Sequence, residues 1–469
     1  MAENPFYPNE WMDYQRTYPY DHIKPENYKS AMQYAGQMRR ASTRAGYDFE
    51  WEAAGPENIG GRITDLLVEP GNANTIYVGA ASGGIYKTTD GGESWANIFT
   101  DAEVISIGDL AMDPNDPDVI YAGTGEANAS SYSFIGNGIY KTTDGGESWT
   151  HSGLDASAYI GRIIVDYSDA ETVFVASCGN LFTPGGERGI YRSEDGGTNW
   201  ERVLFVDEVT SGIDLVQHPQ NPDVIYAAMW ERLRGLNFRQ SFGDGSGIWK
   251  SVDGGDTWQE MTNGVPTDEN VGRIGLDIAR SDPDVLYAYY DMPGGVVEIY
   301  RSSDGGDSWE RTKDEVIDGN NSNFGWYFGQ IRVDPHDKDI AYVMGVGMYR
   351  TTFGGESWEQ ISGYFNSYEI HVDNHAMWID PGTGRIFQGN DGGLYYSDNY
   401  GDDWTKINNL PITQFYDIEI DYSVPYRVYG GTQDNNTIRT LSGDADDWHP
   451  ILGGDGFYSI VDYLNNDNI

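Results

Sequence analysis

One eight-residue phrase recurs seven times along the chain. It reads TTDGGESW at 88–95 and again at 142–149, then SEDGGTNW at 193–200, SVDGGDTW at 251–258, SSDGGDSW at 302–309, TTFGGESW at 351–358 and SDNYGDDW at 397–404. The closing tryptophans are spaced 54, 51, 58, 51, 49 and 46 residues apart. A near-fixed period of this size is the mark of a propeller or solenoid built by copying one small unit.

Each unit has the same grammar. The first reads GRITDLLVEP, NTIYVGAAS, GGIYKTTD and SWANIF, four short runs rich in β-branched and aromatic residues, separated by turn clusters. The first link carries Asp, Asn and Pro, as in DPNDPDVIY at 113–121 and HPQNPDVIY at 218–226; the third link is the phrase itself. Four antiparallel strands per unit predict an all-β propeller blade, strands a to d running from axis to rim. An eighth, degenerate unit runs from Gln414 to Trp448, and a ninth starts at GDGFYSIVDY. The expected division is an extension over 1–50 with one helix, and a propeller over 51–469 whose remainder lies beyond this chain. The helix is expected from Pro25 to Ala41, with Tyr28, Ala31, Met32, Ala35 and Met38 on one stripe and Gly46 beyond its end.

The phrase has two readings, seven ligand sites or seven rim staples. Gly permits positive φ in the c–d turn, Asp and Ser/Thr bond turn backbone, and Trp anchors. Phe353 stands where the other units have Asp or Asn, which fits a staple better than a site. The recurrent Tyr77, Tyr121, Tyr226, Tyr287 and Tyr342 read as core positions of strand b.

Composition narrows the partners. The formal charge of −45 repels nucleic-acid phosphates and anionic membranes. Acid excess with scarce lysine favours a protein working in high salt; a calcium-rich extracellular setting is the rival reading. No apolar run approaches the ~18 residues of a membrane helix. The single cysteine, Cys178, excludes an internal disulfide. The N-terminus shows no signal peptide.

Function should lie on the face shared by the b–c and d–a loops, where the irregular insertions fall: 124–137, 179–188, 229–246 and 313–327. Arg62, Arg162 and Arg273 each open a strand a in Gly-Arg-Ile, a candidate clamp for a carboxylate or sulfate or a set of inter-blade ion pairs. Trp230, Arg232, Arg234 and Arg239 crowd the 229–246 loop, as an anion or sugar site or as a plug. Unit seven brings the densest constellation. His371, Asp373 and His375 are expected on one side of a strand, a candidate site for calcium or zinc. Asp391, Asp434 and Asp455 follow in Gly-rich turns on the same face, candidates for paired-carboxylate glycoside chemistry. The competing reading makes them turn caps and inter-blade hydrogen bonds.

With GPENIGGRITDL, the repeated phrase, NHAMWIDP, GNDGGLY, GGTQDN and GGDGFY in view, residues 51–469 resemble the Asp-box (BNR) propeller superfamily. They look most like bacterial secreted sortilin-like proteins and proteins similar to glycoside hydrolase family 74. The resemblance implies a propeller outside the cytoplasm and an acidic residue in an Asp-Ile-Gly-Gly turn after strand b. The matching turn in unit one is Ala81-Ser82-Gly83-Gly84, and in unit seven Asn390-Asp391-Gly392-Gly393. The expected function is therefore a module binding a glycan, peptide or partner protein. The alternatives are a glycoside hydrolase or lyase using the mouth aspartates, and a structural subunit of a cell-surface assembly.

Overall fold

Every repeat closes its own outer turn. In the first, Thr88 Oγ1 donates to Asp90 Oδ1 (2.6 Å) and accepts from the Gly92 N–H (3.0 Å). Asp90 in turn accepts from the Ser94 N–H (3.0 Å) and hydroxyl (2.6 Å). The same bonds recur around Asp144, Asp253 and Asp304. They stabilise the charged carboxylate, and hold Asp144 and Asp253 down at about 2. Where Phe353 replaces Asp, Thr351 still accepts from the Gly355 N–H (2.9 Å) and Phe353 points to solvent. The repeated phrase is a staple.

The computed structural model describes residues 53–464 apart from 129–132, 236–237, 322–323, 364–369, 423–426 and 463, together with scattered residues between 14 and 38. Eight four-stranded antiparallel sheets follow one another, plus a two-stranded ribbon in the 229–246 loop. The first seven have as inner strands Ile63–Glu69, Ile107–Asp113, Tyr159–Val165, Thr210–Gln217, Ile274–Ile278, Gln330–Val333 and Asn374–Ile379. They form an all-β propeller.

Inner strands are joined by aspartates. Asp65, Asp109, Asp214 and Asp277 accept from the N–H of Leu110 (2.9 Å), Ile163 (2.6 Å), Leu276 (3.0 Å) and Val333 (2.7 Å). The rim is joined by tyrosines. Tyr77, Tyr121 and Tyr226 donate to the carbonyls of Gly145 (3.2 Å), Gly196 (3.1 Å) and Gly305 (2.7 Å), each in the next blade's staple, and Lys87, Lys141 and Lys250 reach the same oxygens.

The ring closes between blades seven and one. Ile63, Leu66 and Val78 share an apolar cluster with Ala376, Phe387 and Ile407. The fit is close: a Cβ on Gly92 would meet the Ile407 methyl at 2.3 Å, and one on Gly389 the Ile63 methyl at 2.5 Å. The eighth sheet, with strands Phe415–Ile420, Val428–Thr432, Thr437–Thr440 and Trp448–Leu452, therefore sits outside the ring. It is tied to the chain leading into blade one by Glu57 N–H to Ala445 O (2.8 Å), Asn58 Nδ2 to Trp448 O (2.8 Å) and Trp448 Nε1 to Ala54 O (3.3 Å). Its inner strand leaves Tyr416 and Ile418 exposed, whereas that of blade one is buried from Ile63 to Val68.

Residues 30–35, 37 and 38 are helical, but the expected stripe does not pack as one. Ala31, Ala35 and Met38 are exposed; Met32 is half-buried, facing Glu103, Val104, Asn137 and Asp155. Pro25, Tyr28, Ala41, Gly46 and Trp51 lie outside the described residues. Cys178 is buried with a free thiol, and burial pushes that thiol up to about 11.

Candidate functional site

Three carboxylates meet at the mouth of the ring, where blade seven touches the eighth sheet. Asp373 precedes the inner strand of blade seven, and Asp391 follows its second strand, Ile386–Asn390. Asp434 lies two residues past the matching strand of the eighth sheet. One oxygen from each falls within 4.8 Å of the others. Asp373 and Asp434 both take left-handed backbone, φ 65° and 57°. The bonds that hold them there are Asp373 N–H to Val346 O (3.0 Å), Asp391 N–H to Asp373 O (3.2 Å) and Asp434 N–H to Asp455 Oδ1 (3.0 Å). Asn435 Nδ2 donates to Asp391 O (2.7 Å), which fastens the eighth sheet to blade seven.

Their electrostatics divide the three. Burial works to raise the Asp391 carboxyl, but His375, with Nε2 2.8 Å from Oδ1, and the Arg62 guanidinium overcome it and hold Asp391 down at about 2. Burial, and then the charge of Asp391, push Asp373 up to about 8. Burial and Asp391 do the same to Asp434, which is pushed up to about 8 and hydrogen-bonds to Asp391. Like charges this close cannot all ionise, so at neutral pH Asp391 is the anion and its neighbours keep protons.

The surrounding wall is aromatic and basic. Phe328 stacks on the His375 ring (5.2 Å, 17°), and Tyr327 meets it edge-on (5.1 Å). Tyr327 also lies under Arg62, at 5.8 Å. Arg62 pairs with Glu126 at 3.0 Å, both nearly sealed from solvent. On the eighth sheet Tyr416 and Phe457 stack (5.0 Å, 15°) in the open, with the Tyr416 hydroxyl donating to Asp455 (3.1 Å).

The structure thus brings Asp391, Asp434, Asp455 and Arg62 together. His371, Asp373 and His375 do not form one ligand set. Residues 371–373 lie ahead of the strand, so strand alternation does not align them. The His371 Nε2 faces the backbone oxygen of Asp434 (3.1 Å) and His375 is committed to Asp391. The oxygen-only trio suits a hard cation such as calcium, and lacks the nitrogen and sulfur donors zinc favours. The three arginines do not form a clamp. Arg62 serves Glu126, Arg162 bridges Asp109 (3.0 Å) and Asp214 (2.9 Å) in the inner ring, and Arg273 donates to Asn128 and to Tyr327 O. Inter-blade pairing accounts for the first two.

Sequence reasoning misses Glu126, Tyr327 and Phe328. Glu126 carries a readable signal: it falls two residues after strand b of blade two, the same offset that places Asp434. Tyr327 and Phe328 carry none, because their loop has no repeat pattern.

A scan against models of protein families finds no match. Among curated proteins, the chain is 26% identical over 351 residues to xyloglucanase Xgh74A of Acetivibrio thermocellus, covering 61% of this chain and 40% of that protein. It is 29% identical over 269 residues to the photosystem II assembly lipoprotein Ycf48 of a Synechococcus species, covering 57% of this chain and 65% of that one. The chain therefore spans less than two thirds of either relative. Among solved structures, an ancestral GH74 enzyme superposes with a TM-score of 0.62 at 19% identity, over 86% of this chain and 55% of that one. The chain is a β-propeller that resembles GH74 proteins in fold, and its relatives include both glycan-hydrolase and assembly proteins.

Proposed function

We propose that this propeller is an extracytoplasmic glycan-binding module whose groove crosses the mouth at the seam with the eighth sheet. The observation that carries the reading is the spacing of the trio. Glycosidase carboxylates stand roughly 5–5.5 Å apart when one is the nucleophile and about 6.5–9.5 Å apart when a water lies between them. Here one oxygen of each carboxylate lies within 4.8 Å of the others and Asp434 hydrogen-bonds to Asp391, a contact that favours holding each other over flanking a sugar carbon or a water. The turn of blade one that the resemblance would furnish with an acid holds Ala81 and Ser82. What remains is a recognition surface: the open Tyr416–Phe457 stack offers a sugar-sized aromatic face beside the carboxyl acceptors of Asp455 and Asp434. A polysaccharide ligand would be met outside the cytoplasm, and the xyloglucanase relatives support a glycan.

The test is calorimetric titration with xyloglucan, cellulose and mixed-linkage oligosaccharides, run beside an assay of reducing-end release. Binding without release, weakened at least tenfold by Phe457→Ala, is expected. Sugar release abolished by Asp434→Asn would replace this reading with the hydrolase one.

A second reading concerns the trio itself, whose oxygen-only donors support a bound calcium ion. Binding would displace the protons of Asp373 and Asp434, so the calcium-induced rise in melting temperature should be larger at pH 8.5 than at pH 6 and vanish in Asp391→Asn. No shift at either pH would remove it.

A further inference from the structure

The aromatic pair at the seam is held in water against the preference of its backbone. Phe457 takes left-handed backbone, φ 46°, a region that bulky side chains rarely adopt. Close backbone approach keeps it there. The Gly456 N–H donates to Thr432 O (3.0 Å), and a Cβ on Gly431 would meet the Phe457 backbone oxygen at 2.0 Å. The strain gains no burial, since Phe457 is 54% exposed and Tyr416 41% exposed. The two rings are nonetheless nearly parallel, 5.0 Å apart and 15° between planes. Strain that keeps an ordered ring pair in solvent points to a contact surface.

Charge decides what that surface meets. Asp455 stands exposed at the edge of the pair. Its Oδ1 accepts from the Tyr416 hydroxyl (3.1 Å) and from the Asp434 N–H (3.0 Å). Both bonds fall on one oxygen, and among the described residues Oδ2 accepts none. Asp434 lies in the field of both Asp391 and Asp455. The base in that field is Arg62, which also acts on Tyr416. Arg62 is paired with Glu126 at 3.0 Å and its side chain is 5% exposed, so its charge is not offered to a ligand.

The wider setting has the same sign. From Gln414 to Leu464 the eighth sheet and its tail hold nine acidic residues and two arginines, within a chain of charge −45. A field of that sign turns away anionic saccharides and draws in cationic ones.

We infer that the Tyr416–Phe457 platform binds an amino sugar, with its protonated amine set beside the Asp455 carboxylate. The inference rests on the glycan reading above and names the class of glycan. An ammonium gains twice here, from charge-assisted hydrogen bonds to Asp455 and from the negative faces of the rings. The apolar face of the sugar stacks on the same rings, and a neutral sugar gains that stacking alone.

The experiment is calorimetric titration of the whole chain at mildly acidic pH, where the amine is protonated. The probes are a glucosamine oligosaccharide, its N-acetylated counterpart of equal length, a xyloglucan oligosaccharide and a poly-lysine peptide, at ~0.1 M and ~1 M salt. The glucosamine oligosaccharide is expected to bind roughly tenfold tighter than its acetylated counterpart, and less tightly at high salt. Asp455→Asn should abolish that preference, while Phe457→Ala should weaken both saccharides. Both side chains are exposed, so the variants should fold, and melting curves check this. Equal binding of the charged and acetylated saccharides, or a preference that survives Asp455→Asn, would overturn this inference and leave the glycan reading standing. Preference for the peptide, or no binding at all, would overturn both.

Discussion

His375 and Asp391 meet at 2.8 Å with almost no solvent contact, and their pairing fixes the charge of the whole mouth. Burial, and then the charge of Asp391, let Asp373 and Asp434 retain protons that an unfolded chain would release near pH 4. The native state then binds more protons than the unfolded state between about pH 4 and pH 8, so stability falls as pH rises through that window. Replacing Asp391 by Asn removes the anion that raises its neighbours. Thermal melts from pH 4 to 9 should show a slope in the native protein that is flatter in Asp391→Asn. Equal slopes would mean the mouth carboxyls titrate independently.

Arg162 is predicted to matter for the fold and not for ligand. It joins Asp109 and Asp214 across three inner strands, and Arg162→Met would strand two buried carboxylates. Loss of one member of such a group costs roughly 3–5 kcal/mol. Denaturant unfolding should show that loss, while any saccharide bound by the folded variant should keep its affinity.

The rim tyrosines offer a matched pair. Tyr226→Phe removes a hydroxyl bonded to Gly305 O at 2.7 Å and should cost about 1 kcal/mol. Tyr342→Phe removes a buried hydroxyl with no hydrogen-bond partner among the described residues and should cost nothing, or add stability. Equal effects in chemical denaturation would refute the inter-blade role of the hydroxyl.

Salt is the fourth test. With a net charge of −45, screening should relieve self-repulsion, so the melting temperature should climb from ~0.1 M to ~2 M potassium chloride. Indifference to salt would sink the high-salt reading and leave the acidity to be explained by cation binding.

The blades are legible in the sequence because their rules are local. Thr88, Asp90 and Gly92 bond within five residues, so the phrase announces its turn without reference to the rest of the chain. The mouth is legible in part. Loop-face aspartates follow from counting strands, which is why Asp391, Asp434 and Asp455 meet as the pattern suggests. What sequence cannot convey is which units touch. Seven equivalent phrases do not say that blade seven closes on blade one, a matter decided by the fit of Ile63 and Ile407 against Gly389 and Gly92. Nor can it place Glu126 against Arg62, 64 residues apart, or show that His375 turns to Asp391 while His371 faces the Asp434 carbonyl.

The tyrosine and lysine contacts to each following staple carry a consequence for how such a ring is built. The outer turns of blades two, three, five and seven, closed within their own repeats, are each also tied by a side chain one repeat earlier, so these blades are not self-sufficient modules. Excising or duplicating one repeat would mismatch two neighbours at once: Tyr226 and Lys250 need the Gly305 carbonyl at one fixed reach, while blade six hands the task to Arg350, which donates to Tyr400 O. Where these contacts run, one repeat is fastened through the next, like links of a chain.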